Sequence, residues 1–553
     1  MQFLEIHVSI GLSFSQEKKE VVMRKFSSYG LVDKYLHFYV PREELVQKVY
    51  SYLVGENPET EGGHYVTVCA SLHCGTSWIM REILWRLMPD DRFHVLILGL
   101  GHLRMTEDTD EIITAIAEEI ISGLNLENIQ ISNPEELSHL FKKEVLDKPL
   151  VLIMDEFGTL PEAAKSGLAS MFRNIYNIRQ QDPNPSPKKE YLLHSVALIG
   201  IPSVLDMGND TESFNIWRSL HIPNLTRDEV MSMFEWYEQE SRQKVRADVV
   251  ERLYHETRGH PGLVSWFGEL LTEGYDYFQP DHTRDITRDI FEKVYSDALH
   301  VLPNVNILSI LAKAKQASHR EIVLEFFKTE EMPFRFDDPR LSFLYMNGVI
   351  DREKVPGSGS VIRFSSPFVQ KRLFNYFSNE LFHYMGKIFE PFEDMSDTIT
   401  EESLNIPNLI RRYERHLRKN HDWMLEDAPR RKDMRVFEAV FHFNLYEYLN
   451  RFLSNKDAKV WLEFPVGRIA TDLIIRYKDR MYVLELKSHM NEIEYGKTLE
   501  QVAQYGKFLK LDMIHLIVFV EHIGDEHRQH YETNYIDEKT GVRVVPVFVG
   551  TGK

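Results

Sequence analysis

Cysteine is nearly missing: the 553 residues hold two, Cys69 and Cys74. Two thiols cannot build a disulfide framework and lack a zinc-ligand spacing, so a reducing, cytoplasmic setting is expected. Long apolar runs are missing too. The best, around Val95–Leu100, is strand-sized, so no membrane span is expected. Met1–Ile10 has no basic flank or cleavage-site pattern, so no export signal is expected either. Positive charge is in deficit, 65 Lys+Arg against 84 Asp+Glu, for a net −19. A chain this acidic does not coat itself in nucleic acid, and any polyanion contact must be local. Internal repeats and long low-complexity segments are also absent.

What is present is ordinary globular material, 43% apolar and 27% charged. The length exceeds what one core can organise, so about two to four domains are expected. From residue 35 to 225, strand-like runs (Tyr65–Ala70, His94–Leu100, Leu150–Met154, Ser195–Gly200) alternate with helical patterns (Ser77–Leu87, Asp110–Leu124, Pro161–Asn177). That alternation predicts a parallel sheet with helices on both faces. The stretch Gln181–Glu190 (QDPNPSPKKE) reads as a surface loop. Residues 226–300 are helical, and Thr226 with Asp228–Glu229 marks a helix start. Residues 301–378 carry the amphipathic stretches Arg320–Phe327 and Asp338–Met346, a Gly357–Gly359 turn and the strand-like Val361–Phe364, the order of a winged helix. Residues 379–432 are a helical linker with a basic run: Arg411, Arg412, Arg415, Arg418, Lys419, Arg430, Arg431 and Lys432. That run could guide nucleic acid, although a solvated helical face is its ordinary reading. Residues 433–553 begin with a helix and then alternate strands with one long helix.

In this last region Arg468–Tyr477 (RIATDLIIRY) and Met481–Ser488 (MYVLELKS) read as two strands. A hairpin looping through Lys478–Asp479 sets Asp472 opposite Glu485 and brings Lys487 to the same face, while Leu473, Ile475, Tyr482, Leu484 and Leu486 cover the reverse. A one-residue slip would undo this, so register is the assumption. Two facing carboxylates repel unless one is protonated or a cation lies between them. Mg²⁺ (or Mn²⁺) suits hard oxygen ligands and acidifies water for phosphodiester hydrolysis. Glu-x-Lys on a strand is common and by itself reads as a surface pair. Its company is less common. Glu438 borders the apolar stripe Phe437, Phe441 and Leu445 on the preceding helix, and Gln501 and Tyr505 share one face of the following helix. His442, four after Glu438, could face the site but is expected to pack.

The order helix-Glu, Asp, Glu-x-Lys, Gln-x-x-x-Tyr resembles the PD-(D/E)xK nuclease superfamily, especially the exonuclease domain of bacterial recombination helicase-nucleases. Gly467–Arg468 resembles that family's lead-in to the Asp. The resemblance implies a restriction-endonuclease-like α/β domain. In it Asp472 and Glu485 bind the metal, Lys487 is catalytic, Glu438 assists, and Gln501 and Tyr505 hold the active-site helix or DNA.

Upstream, strand Tyr65–Cys69 runs into Ala70-Ser71-Leu72-His73-Cys74-Gly75-Thr76-Ser77 and a helix, where a phosphate-binding loop belongs. Gly75 and Ser77 fit G-x-x-x-x-G-K-[ST], but Ala70 replaces the first Gly and Thr76 replaces the Lys. A threonine hydroxyl supplies no charge to phosphates. Pro149–Phe157 (PLVLIMDEF) resembles a Walker B strand, in which Asp155 holds Mg²⁺ and Glu156 polarises water; a buried strand with an acidic helix start reads the same way. Tyr39–Arg42 (YVPR) and Arg258–Gly262 (RGHPG) resemble the bacterial AAA-like ATPases related to signalling NTPases. That resemblance implies a P-loop domain whose helical lid and winged helix pack over nucleotide, with Arg258 near a phosphate or capping a helix. Thr76 marks a degenerate Walker A, so ATP is expected to bind weakly or not at all. Cys74 is expected to be incidental. The leading expectation is a Mg²⁺-dependent deoxyribonuclease positioned by a degenerate AAA-like module. The alternatives are a non-catalytic sensor or scaffold and an ATP-dependent switch with nuclease output. A homo-oligomer stays open, and no membrane partner is expected.

Overall fold

The computed structural model describes residues 23–28, 33–57, 62–69, 74–126, 129, 131, 134–200, 216–329, 332–355, 359–389, 393–431, 436–454, 456–463, 472–478, 480–488 and 492–552. The first layered unit runs α1 (Glu43–Val54), β1 (Tyr65–Cys69), α2 (Thr76–Leu87), β2 (His94–Gly99), α3 (Thr109–Gly123), β3 (Leu150–Asp155), α4 (Glu162–Gln181), β4 (Leu193–Ile199) and β5 (Trp217–His221). Its sheet has the order β2-β3-β4-β1-β5 with every pair parallel. Parallel strands need helical crossovers, which bury both faces, and all seven residues of β4 are accordingly buried. The expected strands appear within a residue or two. The additional strand β5 (WRSLH) was not anticipated: only Trp217 and Leu220 are buried, too polar a pattern to announce itself.

The segment Gln181–Glu190 is largely exposed, as expected of a surface loop, but two of its residues turn inward. Ser186 and Lys189 are buried. Lys189 Nζ donates to the carbonyls of Arg179 (2.6 Å) and Asp182 (2.8 Å), and Arg179 donates to Ser186 Oγ. The lysine thus caps the end of α4, a cation on the carbonyl end of a helix dipole.

Four helices follow: α5 (Arg227–Ser241), α6 (Ala247–Thr257), α7 (Pro261–Thr272) and α8 (Arg288–His300). The predicted start at Thr226 is a complete capping box, with the Thr226 side chain accepting from Glu229 N–H and the Glu229 carboxylate accepting from Thr226 N–H. Next come α9 (Val305–Ala314), α10 (Ala317–Phe326), α11 (Pro339–Met346), the hairpin β6 (Ile350–Val355) and β7 (Gly359–Phe364), and α12 (Pro367–Phe382). This helix–hairpin unit ties into its neighbour through charge: buried Lys371 of α12 contacts Glu256 of α6 at 3.3 Å.

After α13 (Ile406–Met424) the last unit runs α14 (Glu438–Leu453), β8 (Ala458–Glu463), β9 (Asp472–Tyr477), β10 (Arg480–Ser488), α15 (Glu492–Phe508), β11 (Met513–Val520), α16 (Asp525–Tyr531), β12 (Tyr535–Ile536) and β13 (Arg543–Gly550). The sheet order is β12-β13-β11-β10-β9-β8. β8, β9 and β10 are antiparallel, whereas β10–β11 and β11–β13 are parallel. Strand alternation sorts its side chains cleanly. Leu473, Ile475, Tyr482, Leu484 and Leu486 join the large core under α14, as anticipated. Ile474 and Val483 join Val502, Ala503 and Tyr505 of α15 on the other face. α14 is buried on nearly every side because the helix–hairpin unit covers its outer face, with Phe374 4.3 Å from Phe443 between ring centroids. Among the described residues no helix is long and apolar enough to cross a membrane.

Candidate active site

The β9–β10 hairpin places Asp472 directly opposite Glu485 in the backbone register, with Lys478 at φ 50 in its turn. The third strand adds Glu463, in register with Asp472. That residue was missed, although the alternating run AKVWLE ending on an acid was an available signal. The Asp472 and Glu463 side chains, together with Gly467–Arg468, lie outside the described residues. Glu485 is buried, at 4% exposure, and Lys487 Nζ stands 3.0 Å from its Oε1.

Glu438 is the first residue of α14, whose N-terminus points at the same end of β10. A helix N-terminus ordinarily favours a carboxylate. Here burial dominates and pushes Glu438 up to about 7, against the opposing pull of Lys487, Lys328, Ser488 and Arg431. One turn along, His442 Nε2 lies 3.5 Å from Glu438 Oε1, and among the described residues neither ring nitrogen has a hydrogen-bond partner. Burial, then Lys487, brings the imidazole down to about 3, so it stays neutral. His442 therefore both packs, 5.7 Å from the Phe519 ring, and faces the site. The structure thus gathers Glu438, His442, Glu485 and Lys487. Tyr505 is buried in the α15 cluster, whereas Gln501 on the same helix is exposed.

The donor set fits a hard divalent cation. A buried carboxylate beside a single ammonium, with a second acid opposite it in register, supplies anionic oxygen and no sulfur. Among the described residues, which leave out the Asp472 side chain, no group of three or more His, Cys, Asp or Glu is arranged to hold a metal.

The second predicted constellation lies at the carboxyl edge of the first sheet. Gly75 has φ 84 and caps the N-terminus of α2, with Thr76 as its first residue. Ala70–His73 and the Ser77 side chain lie outside the described residues. Cys74 is a buried thiol that donates to Asn224 Oδ1 at 3.7 Å. Asp155 ends β3 and accepts the Glu156 N–H at 2.9 Å, while Glu156, at φ 58, rests its carboxylate against Gly101. Arg42 donates to the Pro223 and Asn224 carbonyls. Arg258 is the left-handed C-cap of α6, the capping role foreseen for it. It also lines a cavity of about 590 Å³ between the helical and helix–hairpin units, opposite Arg352 and Lys354.

The basic run in α13 is no open cationic track. Arg411 is engaged by Glu532 and the Phe548 carbonyl, Arg412 by Glu393, Asp397 and Thr398, and Arg418 by Glu414. Arg411 ties the helix to the last sheet unit, Arg412 ties it to the segment before it, and the Arg418–Glu414 pair lies within the helix itself. Arg415 and Lys419 are exposed, in keeping with the solvated face that is the run's ordinary reading. Lys432 lies outside the described residues.

No known family model matches this chain, and no curated protein matches it by sequence. Among solved structures it is similar to Aeropyrum pernix Orc1 in complex with DNA, at 16% identity over 63% of this chain and 96% of that one, with a TM-score of 0.33. It is likewise similar to a Walker-type ATPase of Pyrococcus abyssi, at 15% over 63% and 99%, with a TM-score of 0.39. The Thermotoga maritima RuvB Holliday junction branch migration motor gives 14% over 58% and 92%, with a TM-score of 0.31. Identities and scores this low assign no activity to the chain.

Proposed function

We propose that this chain is a metal-dependent nuclease that hydrolyses phosphodiester bonds in DNA at the end of β10. The observation that carries the reading is the convergence of Glu485 and Lys487 with Glu438 and His442 of α14, beside the in-register Asp472.

Asp472 and Glu485 would hold Mg²⁺ (or Mn²⁺), which when bound supplies positive charge at the phosphate and acidifies water. The remaining work falls to side chains. Glu485 fixes the Lys487 ammonium, whose charge offsets that developing on the phosphate oxygens. With its pKa near neutrality, Glu438 can hold or release a proton at Oε1 under working conditions. Neutral His442 packs behind that carboxylate without competing for its negative charge. Tyr505 holds α15 in the core on one face of the sheet, and Gln501 on its exposed side is available to DNA.

The parallel-sheet unit is proposed to position substrate rather than power the reaction, because Thr76 leaves its loop without the phosphate-bridging ammonium. Residues 226–300 then act as its lid and 301–378 as a winged helix. The test is incubation of single- and double-stranded DNA and RNA with purified chain and Mg²⁺ or Mn²⁺. DNA is cut by wild type and spared by Lys487→Ala and Asp472→Ala. If wild type leaves every substrate intact, the non-catalytic sensor reading replaces this one.

A further inference from the structure

The C-terminal unit by itself builds a site unfriendly to its proposed substrate. Among the described residues Glu438 and Glu485, with Asp472 in register, face the ammonium of Lys487, on a chain whose net charge is −19. A nucleic-acid strand brings one negative charge per phosphate, and such strands bind where cations replace their counterions. Those cations have to be found close to the site.

Among the described residues two lie there, and neither belongs to the sheet unit. Lys328 follows the end of α10 in the helix–hairpin unit, and its Nζ sits 5.4 Å from the centre of the Phe437 ring, the residue that caps α14 immediately before Glu438. Its carboxylate neighbour is Glu325 at 3.5 Å, which also accepts the Thr329 hydroxyl at 2.8 Å and so divides its charge. The position is rigidly held, because Phe327 packs edge-on against Phe443 of α14 at 5.4 Å. Arg431 is exposed and arrives from the linker. An antiparallel bridge between Arg430 and Val436, and a 3.2 Å bond from Phe437 N–H to the Pro429 carbonyl, fold this segment back against the start of α14. Both cations are near enough to Glu438 to counter the rise in its pKa.

We infer that Lys328 and Arg431 form a cationic rim that seats a non-scissile phosphate of the DNA strand beside Lys487, so that the helix–hairpin unit supplies part of the substrate site. The inference rests on the nuclease reading. It makes both residues positioning groups: they act on binding, and the bond-breaking chemistry stays with Glu485, Lys487 and Asp472. It also gives the first two-thirds of the chain a direct lever on cleavage. Any shift of the helix–hairpin unit against α14 moves Lys328 and changes how DNA is held.

The test uses the full chain, with fluorescent DNA oligonucleotides titrated over a range of salt and cleavage measured in parallel. Lys328→Gln and Arg431→Gln are each expected to weaken binding about five- to tenfold and to lower the log–log salt slope by about 0.9, one released counterion. KM rises accordingly, while kcat stays within about twofold, as for a uniform-binding contact. Lys328→Arg recovers most of the affinity, and Lys48→Gln at an exposed position of α1 changes nothing. Melting curves identify a misfolded Lys328→Gln, in which case exposed Arg431→Gln decides. If wild type binds and cuts DNA but the folded variants keep its affinity and salt slope, the rim is overturned and the nuclease reading stands. If wild type neither binds nor cuts nucleic acid, both are overturned.

Discussion

Glu438 offers a perturbation whose size follows from its surroundings. Its carboxyl is raised from 4.5 to about 7, chiefly by burial. Such a shift of about two and a half units corresponds to roughly 3 kcal/mol. The sign follows from linkage. The folded chain binds this proton more tightly than the unfolded chain, so its stabilising contribution is complete below the unfolded pKa near 4.5. It is lost as pH rises through about 7. Glu438→Gln keeps the shape and removes the ionisation. Relative to wild type, the variant should therefore gain about 3 kcal/mol between roughly pH 5 and pH 8, or roughly 6–12 °C in the melting of the C-terminal unit. Paired thermal melts across that range, in chelator so that divalent ions do not enter, provide the measurement. A difference between variant and wild type that stays constant with pH would show that Glu438 is not held in the low-dielectric setting described.

Other outcomes follow from particular contacts. Glu256→Ala leaves Lys371, 3% exposed, without its buried carboxylate; a loss of about 3–5 kcal/mol is expected in denaturant melts, largely recovered in Glu256→Leu/Lys371→Met. The same pair predicts acid sensitivity: although burial opposes it, Lys371, His255 and Arg252 hold Glu256 at about 2, so its contribution is present above about 4.5 and fades as pH falls towards 2. Thr226→Ala removes the capping box of α5 and should cost about 1 kcal/mol by the same melts. Fluorescent ATP analogues should show no tight Mg²⁺-dependent binding; saturable binding abolished by Asp155→Ala would restore the nucleotide-switch alternative.

Much was legible in the sequence because it is local. The parallel sheet follows from alternating strand and helix periodicities, and the capping box from Thr226 and Glu229. The hairpin register follows from a two-residue loop combined with one apolar face, Leu473, Ile475, Leu484 and Leu486. A slip would have exposed that face, so the pairing of Asp472 with Glu485 was determined by the chain itself. Tertiary structure alone decided what each charge is for. Arg411 and Arg412 could guide a polyanion by their sequence, but Glu532 and Glu393, from outside their helix, occupy them. Lys189 looks like loop surface, yet it caps α4. His442 and Glu438 are neighbours by their i, i+4 spacing alone, but the burial that raises the carboxyl and lowers the imidazole came only when α14 was covered by the sheet and the helix–hairpin unit. Lys328 reached the site only through that same packing. Periodicity reports which face of an element is apolar. The partner of a charge, and with it the pKa and the role, depends on elements that meet only after the chain has folded.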